Sequence, residues 1–266
     1  FKLCQQLIIG AADLCNTLAT NYVSDHLTAL GEVILDSAVR AAWRDISQRY
    51  GQPCGKNIDD SGLVVVAYGK FGGLELGYGS DLDLVFIHDA NANKSTDGER
   101  SIDNATFFMR LGQKVIHILT TQMASGDLYE VDMRLRPSGN SGMLVTSLVA
   151  SEKYQLEDAW TWEHQALVRA RFVYGEKTLA NQFDTIRSSV LTRQRETKML
   201  AKDVIEMREK MRTHLSLSDA NSFDLKQDSG GIADIEFLVQ FLIKQNIWHS
   251  LYKINENILP LQAFFS

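Results

Sequence analysis

Two aspartates two residues apart, Asp81 and Asp83, stand on a run that is otherwise apolar, Ser80-Asp-Leu-Asp-Leu-Val-Phe-Ile87. Side chains at i and i+2 of a strand point to one face. Both carboxylates therefore share a face, while Leu82, Leu84 and Phe86 take the other, where the core must be. Adjacent carboxylates repel each other and are costly to bury unpaired. Alone, such a pair reads most simply as solvated residues near a strand end or as partners of arginine. A further segment, Leu128 to Leu135, reads as a strand with the same alternation: Glu130, Asp132 and Arg134 on one face, Tyr129, Val131, Met133 and Leu135 on the other. If the two strands are neighbours, Asp132 faces Asp81 and Asp83. Three converging carboxylates with no matching cluster of bases ask for divalent cations, and oxygen-only ligation suits Mg²⁺. Two such ions about 3.5–4 Å apart would clamp the attacking and leaving oxygens of an in-line displacement. The competing reading of Asp132 is an ion pair with Arg134 or Arg136.

The segment before the paired aspartates holds five glycines in eleven residues, Gly69-Lys-Phe-Gly-Gly-Leu-Glu-Leu-Gly-Tyr-Gly79. It follows Leu63-Val-Val-Val-Ala67, a short β-branched run that reads as a buried strand. Without a Cβ, the backbone at Gly69 can approach a ligand closely. If Lys70 to Leu76 begins a short helix, its free N–H groups and Lys70 form an anion site for a triphosphate. A plain flexible turn fits the glycines alone equally well, and the GxxxxGK[ST] phosphate loop is absent. Arg134 and Arg136 either neutralise the triphosphate or balance Asp132 and Glu130.

These residues need elements to hold them. Residues 1–50 read as helical, with Leu27, Leu30, Ile34, Ala38, Ala41 and Ile46 forming one apolar stripe. Gly51-Gln-Pro-Cys-Gly55 ends it with breakers. Ile102, Ala105, Met109, Gly112, Ile116 and Leu119 mark a second amphipathic helix, and Pro137 to Gly142 turn the chain out of the Asp132 strand. Beyond residue 147 the helical period dominates, with Gly175 as a C-cap and residues 196–215 as a further charged helix. The expected class is α+β: a small mixed sheet between helical parts. The expected division is a helical segment over 1–60, the sheet-bearing core over 61–175, and the start of a helical domain over 176–266.

Composition narrows the function classes. The chain has 266 residues, 45% hydrophobic and 23% charged, which suits an ordinary globular core. A net charge of −6 argues against a broad grip on nucleic-acid phosphates, though not against a nucleotide held with a metal. Cys4, Cys15 and Cys54 make no CxxC pair and the six histidines are scattered, so neither a disulfide framework nor a zinc site is expected, and a reducing cytoplasm is the default. No apolar run reaches membrane-spanning length. The chain starts at Phe1 and closes on an apolar stretch, 257–266, so both ends read as cuts in a longer protein.

In the nucleotidyltransferase superfamily that includes DNA polymerase β, a Gly-Ser turn follows the first strand, an Asp-x-Asp the next, and a third Asp comes later. Tyr68-Gly69, Asp81-Leu82-Asp83 and Asp132 resemble that pattern, with Lys70 where the superfamily usually has Ser. The departure is similar to a narrower family, the glutamine synthetase adenylyltransferases. That resemblance rests on Ala67 to Leu84, Tyr129 to Ser138, Trp160-Thr-Trp-Glu-His-Gln-Ala-Leu-Val-Arg-Ala-Arg171 and Gly230-Gly-Ile-Ala-Asp-Ile-Glu-Phe237, and covers most of residues 62–245. It implies a module of a long bifunctional protein that moves AMP from ATP to a tyrosine of glutamine synthetase, or removes it by phosphorolysis. Nitrogen-signalling PII proteins and glutamine set the balance in such proteins. Gly79-Ser-Asp-Leu-Asp-Leu84, Ser138 to Thr146 and Trp160 to His164 look more like the adding module. The implied site has Asp81, Asp83 and Asp132 on Mg²⁺, with Gly69, Lys70, Ser80 and Arg134 around ATP. A non-catalytic docking module with the same fold is the reading from another class.

Side chains outside this set have weaker claims. Trp160, Trp162 and Tyr154 could stack an adenine, yet aromatics at helical spacing more often belong to a core. Glu163 and His164 read as a surface ion pair without the resemblance, and as polar groups near a nucleotide with it. Lys226 and the Gly230-Gly231 turn are further candidates. Asp234 and Glu236 open a helix, where acids are favoured anyway, and stay outside the metal set.

Overall fold

A computed structural model describes residues 1–91, 93–124, 126–215 and 223–245. The helical lead forms two helices, α1 (Lys2–Leu14) and α2 (Thr20–Tyr50). They part at Asn16, whose φ of 53° is a left-handed conformation that asparagine tolerates. Then follow β1 (Leu63–Ala67), α3 (Gly69–Gly72), β2 (Leu82–His88), α4 (Asn104–Thr120), β3 (Val131–Asp132), β4 (Val145–Ser147), α5 (Leu148–Glu157), α6 (Thr161–Ala166), β5 (Arg171–Gly175), α7 (Lys177–Thr192), α8 (Thr197–Leu215) and α9 (Ile232–Lys244). The architecture is α+β, with a small mixed sheet among helices. Among the described residues, 1–154 and 169–184 form one compact unit, and 155–168 with 185–215 and 223–245 a second; the division falls inside α5 and α7. The apolar stretch 257–266 lies outside the described residues.

In the first unit the strand order is β3-β2-β1-β5, with β4 also paired to β2. β1 runs antiparallel to β2 and β5, whereas β3 and β4 run parallel to β2, one at its start and one at its end. Every residue of β1 is buried, so both its faces are covered, as a continuous β-branched run requires. α2 and α4 pack together over the core, with Trp43 edge-on to Phe107 at 5.1 Å. Phe71, Phe86, Phe107 and Phe108 are wholly buried, and each contributes about 1.5–3 kcal/mol by leaving water.

Four sequence expectations change here. The Leu128–Leu135 strand shortens to Val131–Asp132, because the Asp132 carboxylate accepts the Arg134 N–H at 2.8 Å and bends the chain into a turn. Tyr129 and Met133 are nevertheless buried, as the alternation required. Gly175 ends a strand and not a helix: β5 pairs with β1, and five residues were too few to interrupt the helical reading. On α4 the buried face is Phe107, Phe108, Leu111, Gly112, Val115 and Leu119, rotated from the stripe through Met109 and Ile116, since the helix is apolar on more than one side. On α2 it is Ala42, with Leu35, Val39 and Trp43, that joins the core, while Ala41 is half-buried.

The second unit packs α6, α8 and α9 around Leu167, Val190, Leu191, Leu200, Val204 and Ala233. Its interior also holds Glu163, His164, Arg208 and Lys244. Among the described residues no helix is long and apolar enough to cross a membrane.

Candidate active site

The parallel pairing of β2 and β3 sets Asp83 opposite Asp132 and Leu82 opposite Val131, with the Leu82 N–H donating to the Glu130 carbonyl at 2.9 Å. Strand alternation brings Asp81, one residue ahead of β2, to the same side. One carboxylate oxygen from each of Asp81, Asp83 and Asp132 lies within 4.8 Å of the others. Leu82 and Leu84, pointing the other way, are fully buried. Asp81 is exposed and Asp83 and Asp132 half-buried, so the carboxylates sit at the rim of the sheet and not in its core. The donor set fits a hard divalent cation: three carboxylates, no sulfur and no imidazole.

Asp132 also has a partner in the protein. Arg134 donates from Nε to Asp132 Oδ2 at 2.7 Å, and its Nη2 pairs with the same oxygen. Half-burial pushes the Asp132 carboxyl up, but the Arg134 hydrogen bonds and the charges of Arg134 and Arg136 outweigh it and hold the group below the usual carboxylate range. The Arg134 side chain is 75% exposed while that of Asp132 is 14% exposed, so the arginine covers the acid from the solvent side. Of the two readings of Arg134 in the sequence, the geometry gives the ion pair with Asp132, and the charges of Asp83 and Asp81 reach it too. Arg136 is engaged elsewhere, donating to the carbonyls of Met133 at 2.7 Å and Gly142 at 3.4 Å.

Gly69 touches the triad directly. Its φ is +52°, and a Cβ there would stand 2.1 Å from Asp83 Oδ2, so only glycine allows this approach. The Tyr68 N–H donates to the Asp83 carbonyl at 2.9 Å, tying the two segments together at the backbone. Lys70 is exposed on α3, which ends at Gly72 and does not run on to Leu76. Leu74 at φ 62° turns the chain instead. Ser80 Oγ accepts the Gly77 N–H at 3.0 Å and closes the following turn. Arg169 and Arg171, quoted in the sequence only as part of a block, bind this glycine segment from its far side, Arg169 from the turn before β5 and Arg171 from its first residue.

The remaining candidates belong to the second unit, apart from Tyr154. Trp160 is 71% exposed, which removes it from any core, and Trp162 is half-buried. Glu163 and His164 are buried, and do not form a surface ion pair. The Glu163 carboxylate accepts the Trp160 N–H at 2.9 Å, at the start of α6. Lys226 is exposed. Asp234 accepts the Gly230 N–H at 2.6 Å and pairs with Arg208 at 2.6 Å, a helix-start role as expected from its position.

Known proteins share much of this sequence. The family model for glutamate-ammonia ligase adenylyltransferase matches residues 1–186. A protein of Shewanella loihica named bifunctional glutamine synthetase adenylyltransferase/adenylyl-removing enzyme is 50% identical over 275 residues, 98% of this chain and 29% of that protein. Proteins of the same name from Shewanella frigidimarina (50% identical, 97% of this chain, 27% of the relative) and Alteromonas mediterranea (52% identical, 92% and 25%) are equally similar. The chain thus spans under a third of the length of these relatives. With the triad, the glycine turn and this identity together, the chain belongs to the glutamate-ammonia ligase adenylyltransferase family.

Proposed function

We propose that this chain carries the adenylylating site of the longer protein and transfers AMP from ATP to a tyrosine of glutamine synthetase, releasing pyrophosphate. The observation that carries the reading is the placement of Asp81, Asp83 and Asp132, with oxygens within 4.8 Å of one another, beside a glycine turn that has no side chain to fill the approach. Asp81 and Asp83 would hold two Mg²⁺ ions, and Asp132 would complete the set for one of them. When bound, the cations supply charge neutralisation for the α-phosphate and for the departing pyrophosphate. Asp132 receives the proton of the incoming tyrosine hydroxyl. Arg134, exposed and already beside Asp132, turns to the phosphates. Lys70, exposed next to Gly69, binds the β- and γ-phosphates. Most of the acceleration then comes from positioning and from electrostatics aimed at the reacting phosphate. For the longer protein, control by PII proteins and a cytoplasmic setting belong to the same proposal.

The relatives' name pairs adenylylation with adenylyl removal, and one two-metal site can run either way. The co-substrate decides. Incubating this chain with ATP, Mg²⁺ and unmodified glutamine synthetase should add AMP, seen as a mass gain with pyrophosphate release. Glutamine synthetase already carrying AMP should be cleared more slowly by phosphate. Faster release of ADP from the modified substrate would assign the chain to the removing activity. Absence of Mg²⁺-dependent ATP binding and of both reactions would leave a docking module.

A further inference from the structure

α3, the segment that borders Asp83, is four residues long and cannot hold itself. Its far end is gripped by side chains from two other elements. Arg171, the first residue of β5, donates from Nη2 to the Phe71 carbonyl at 3.1 Å and from Nε to the Gly72 carbonyl at 3.2 Å. Its Nη1 pairs with Glu32 Oε1 on α2 at 2.6 Å. Next to Glu32, Gly31 leaves the room in which Phe71 and Leu76 sit: a Cβ there would be 3.0 Å from Phe71 Cε2 and 3.3 Å from Leu76 Cδ2. Arg169 pairs with Glu75 at 3.5 Å, and its carbonyl would lie 2.0 Å from a Cβ on Gly72. At the near end, Gly69 rests on Asp83 Oδ2. α3 is thus a strut between an arginine on one side and a metal-site carboxylate on the other.

We propose that Arg171, aimed by Glu32, is a positioning residue for the transfer reaction: it fixes the glycine turn so that Gly69 stays against Asp83 and the turn receives the phosphates of ATP in one arrangement. The assignment rests on the proposed ATP site. The arginine fork reaches two carbonyls and a carboxylate at once, which a lysine ammonium on its flexible stem does not reproduce. The side chain is not needed for the strand itself, since β5 pairs with β1 through the backbone. Nor is it core filling, being 30% exposed.

The test uses the 266-residue chain and the variants Arg171→Met, Arg171→Lys and Glu32→Gln. Three quantities are read: hydrogen exchange along the backbone, binding of ATP with Mg²⁺, and binding of Mn²⁺ alone. In Arg171→Met, exchange over residues 69–76 should rise at least about tenfold, while that of β2 stays within about twofold. ATP binding should weaken about tenfold or more and Mn²⁺ binding less than about threefold, because the carboxylates are set by β2 and β3. Arg171→Lys should recover only part of the loss, and Glu32→Gln should lose about threefold, with no further loss when combined with Arg171→Met. Should Arg171→Met fail to fold, Glu32→Gln tests the same link with β5 intact through its smaller loss of ATP binding, about threefold, with Mn²⁺ binding unchanged. Unchanged exchange and ATP binding in a folded variant overturn the assignment alone, provided the wild type binds. Equal loss of ATP and Mn²⁺ binding also overturns it. A wild-type chain that binds no ATP with Mg²⁺ overturns the proposed function and this assignment with it.

Discussion

Asp83 and Asp132 lie half-buried at strand ends in the sheet-bearing unit, whereas His164 and Lys244 in the helical unit are only 7% and 1% exposed. In the first unit the described interior contains no buried carboxylate, lysine or arginine; acids gather at the rim, where a bound cation can neutralise them. In the second unit charge is satisfied inside the protein. Lys244 donates to the Thr161 carbonyl at 2.8 Å, and Arg208 to Asp234 at 2.6 Å and the Gln227 carbonyl at 2.7 Å. His164 sits between the Gln155 carbonyl, 2.8 Å from Nε2, and the Arg195 guanidinium, 3.0 Å from Nδ1, which suits a neutral ring with its proton on Nε2. Burial, followed by the Arg195, Lys244 and Arg193 charges, pushes His164 down to about 4, against the Gln155 hydrogen bond. Burial likewise brings Lys244 down to about 7. Charge at the rim stands next to solvent. Charge in an interior is settled by the fold and answers to pH.

The largest effect that would break this contrast is loss of a rim acid. Asp81→Asn, Asp83→Asn and Asp132→Asn should each lower AMP transfer at least about a hundredfold, with melting temperatures within a few degrees of wild type. A variant that keeps the wild-type rate at saturating Mg²⁺ takes its residue out of the site. A smaller effect separates close approach from backbone strain. Gly69 and Gly230 both have positive φ, but a Cβ on Gly230 meets nothing within 4 Å, whereas one on Gly69 meets Asp83. Alanine at either position should cost about 1–2 kcal/mol of local stability, and at Gly69 alone AMP transfer should fall by about tenfold more. Equal activity losses at both sites would show that the contact with Asp83 does not matter.

The smallest effect is pH-dependent. An unfolded His164 titrates near 6.5 and the folded one near 4, so between those values the unfolded chain binds more protons. Stability of the helical unit therefore falls as pH drops through that window, by on the order of 3 kcal/mol over its whole width. Asp132, depressed below 3.8, contributes stability that is lost only at lower pH. Buried His88 at the end of β2 is also pushed down by burial, so the sheet-bearing unit carries a dependence of the same sign. Hydrogen exchange at pH 5 and pH 7 should then show the helical unit loosening, and His164→Gln should flatten the loosening of the helical unit and leave that of β1 and β2 as in wild type; an unchanged dependence of the helical unit in that variant would refute it.

What the sequence determined by itself is local. Alternation over Ser80–Ile87 placed Asp81 and Asp83 on one face and Leu82, Leu84 and Phe86 in the core, and the run Leu63–Ala67 was legible as a buried strand, because a period of two and β-branched composition are set by the chain's own geometry. The oxygen-only character of the triad was equally legible, since it depends on residue type alone. Tertiary structure decided whatever needs a distant partner. The β2–β3 register brought Asp132 to Asp83, and the pairing of β5 with β1 turned Arg171 onto α3. Which face of α4 met α2 chose Phe107 and Phe108 over Met109 and Ile116, and the packing of α6, α8 and α9 buried Glu163 and His164. Apolar side chains lose water against whatever surface the fold presents, and a charge is tolerated inside only where that surface offers a carbonyl or a counter-charge. Such surfaces are assembled from segments far apart in the chain, and no periodicity within one segment records them.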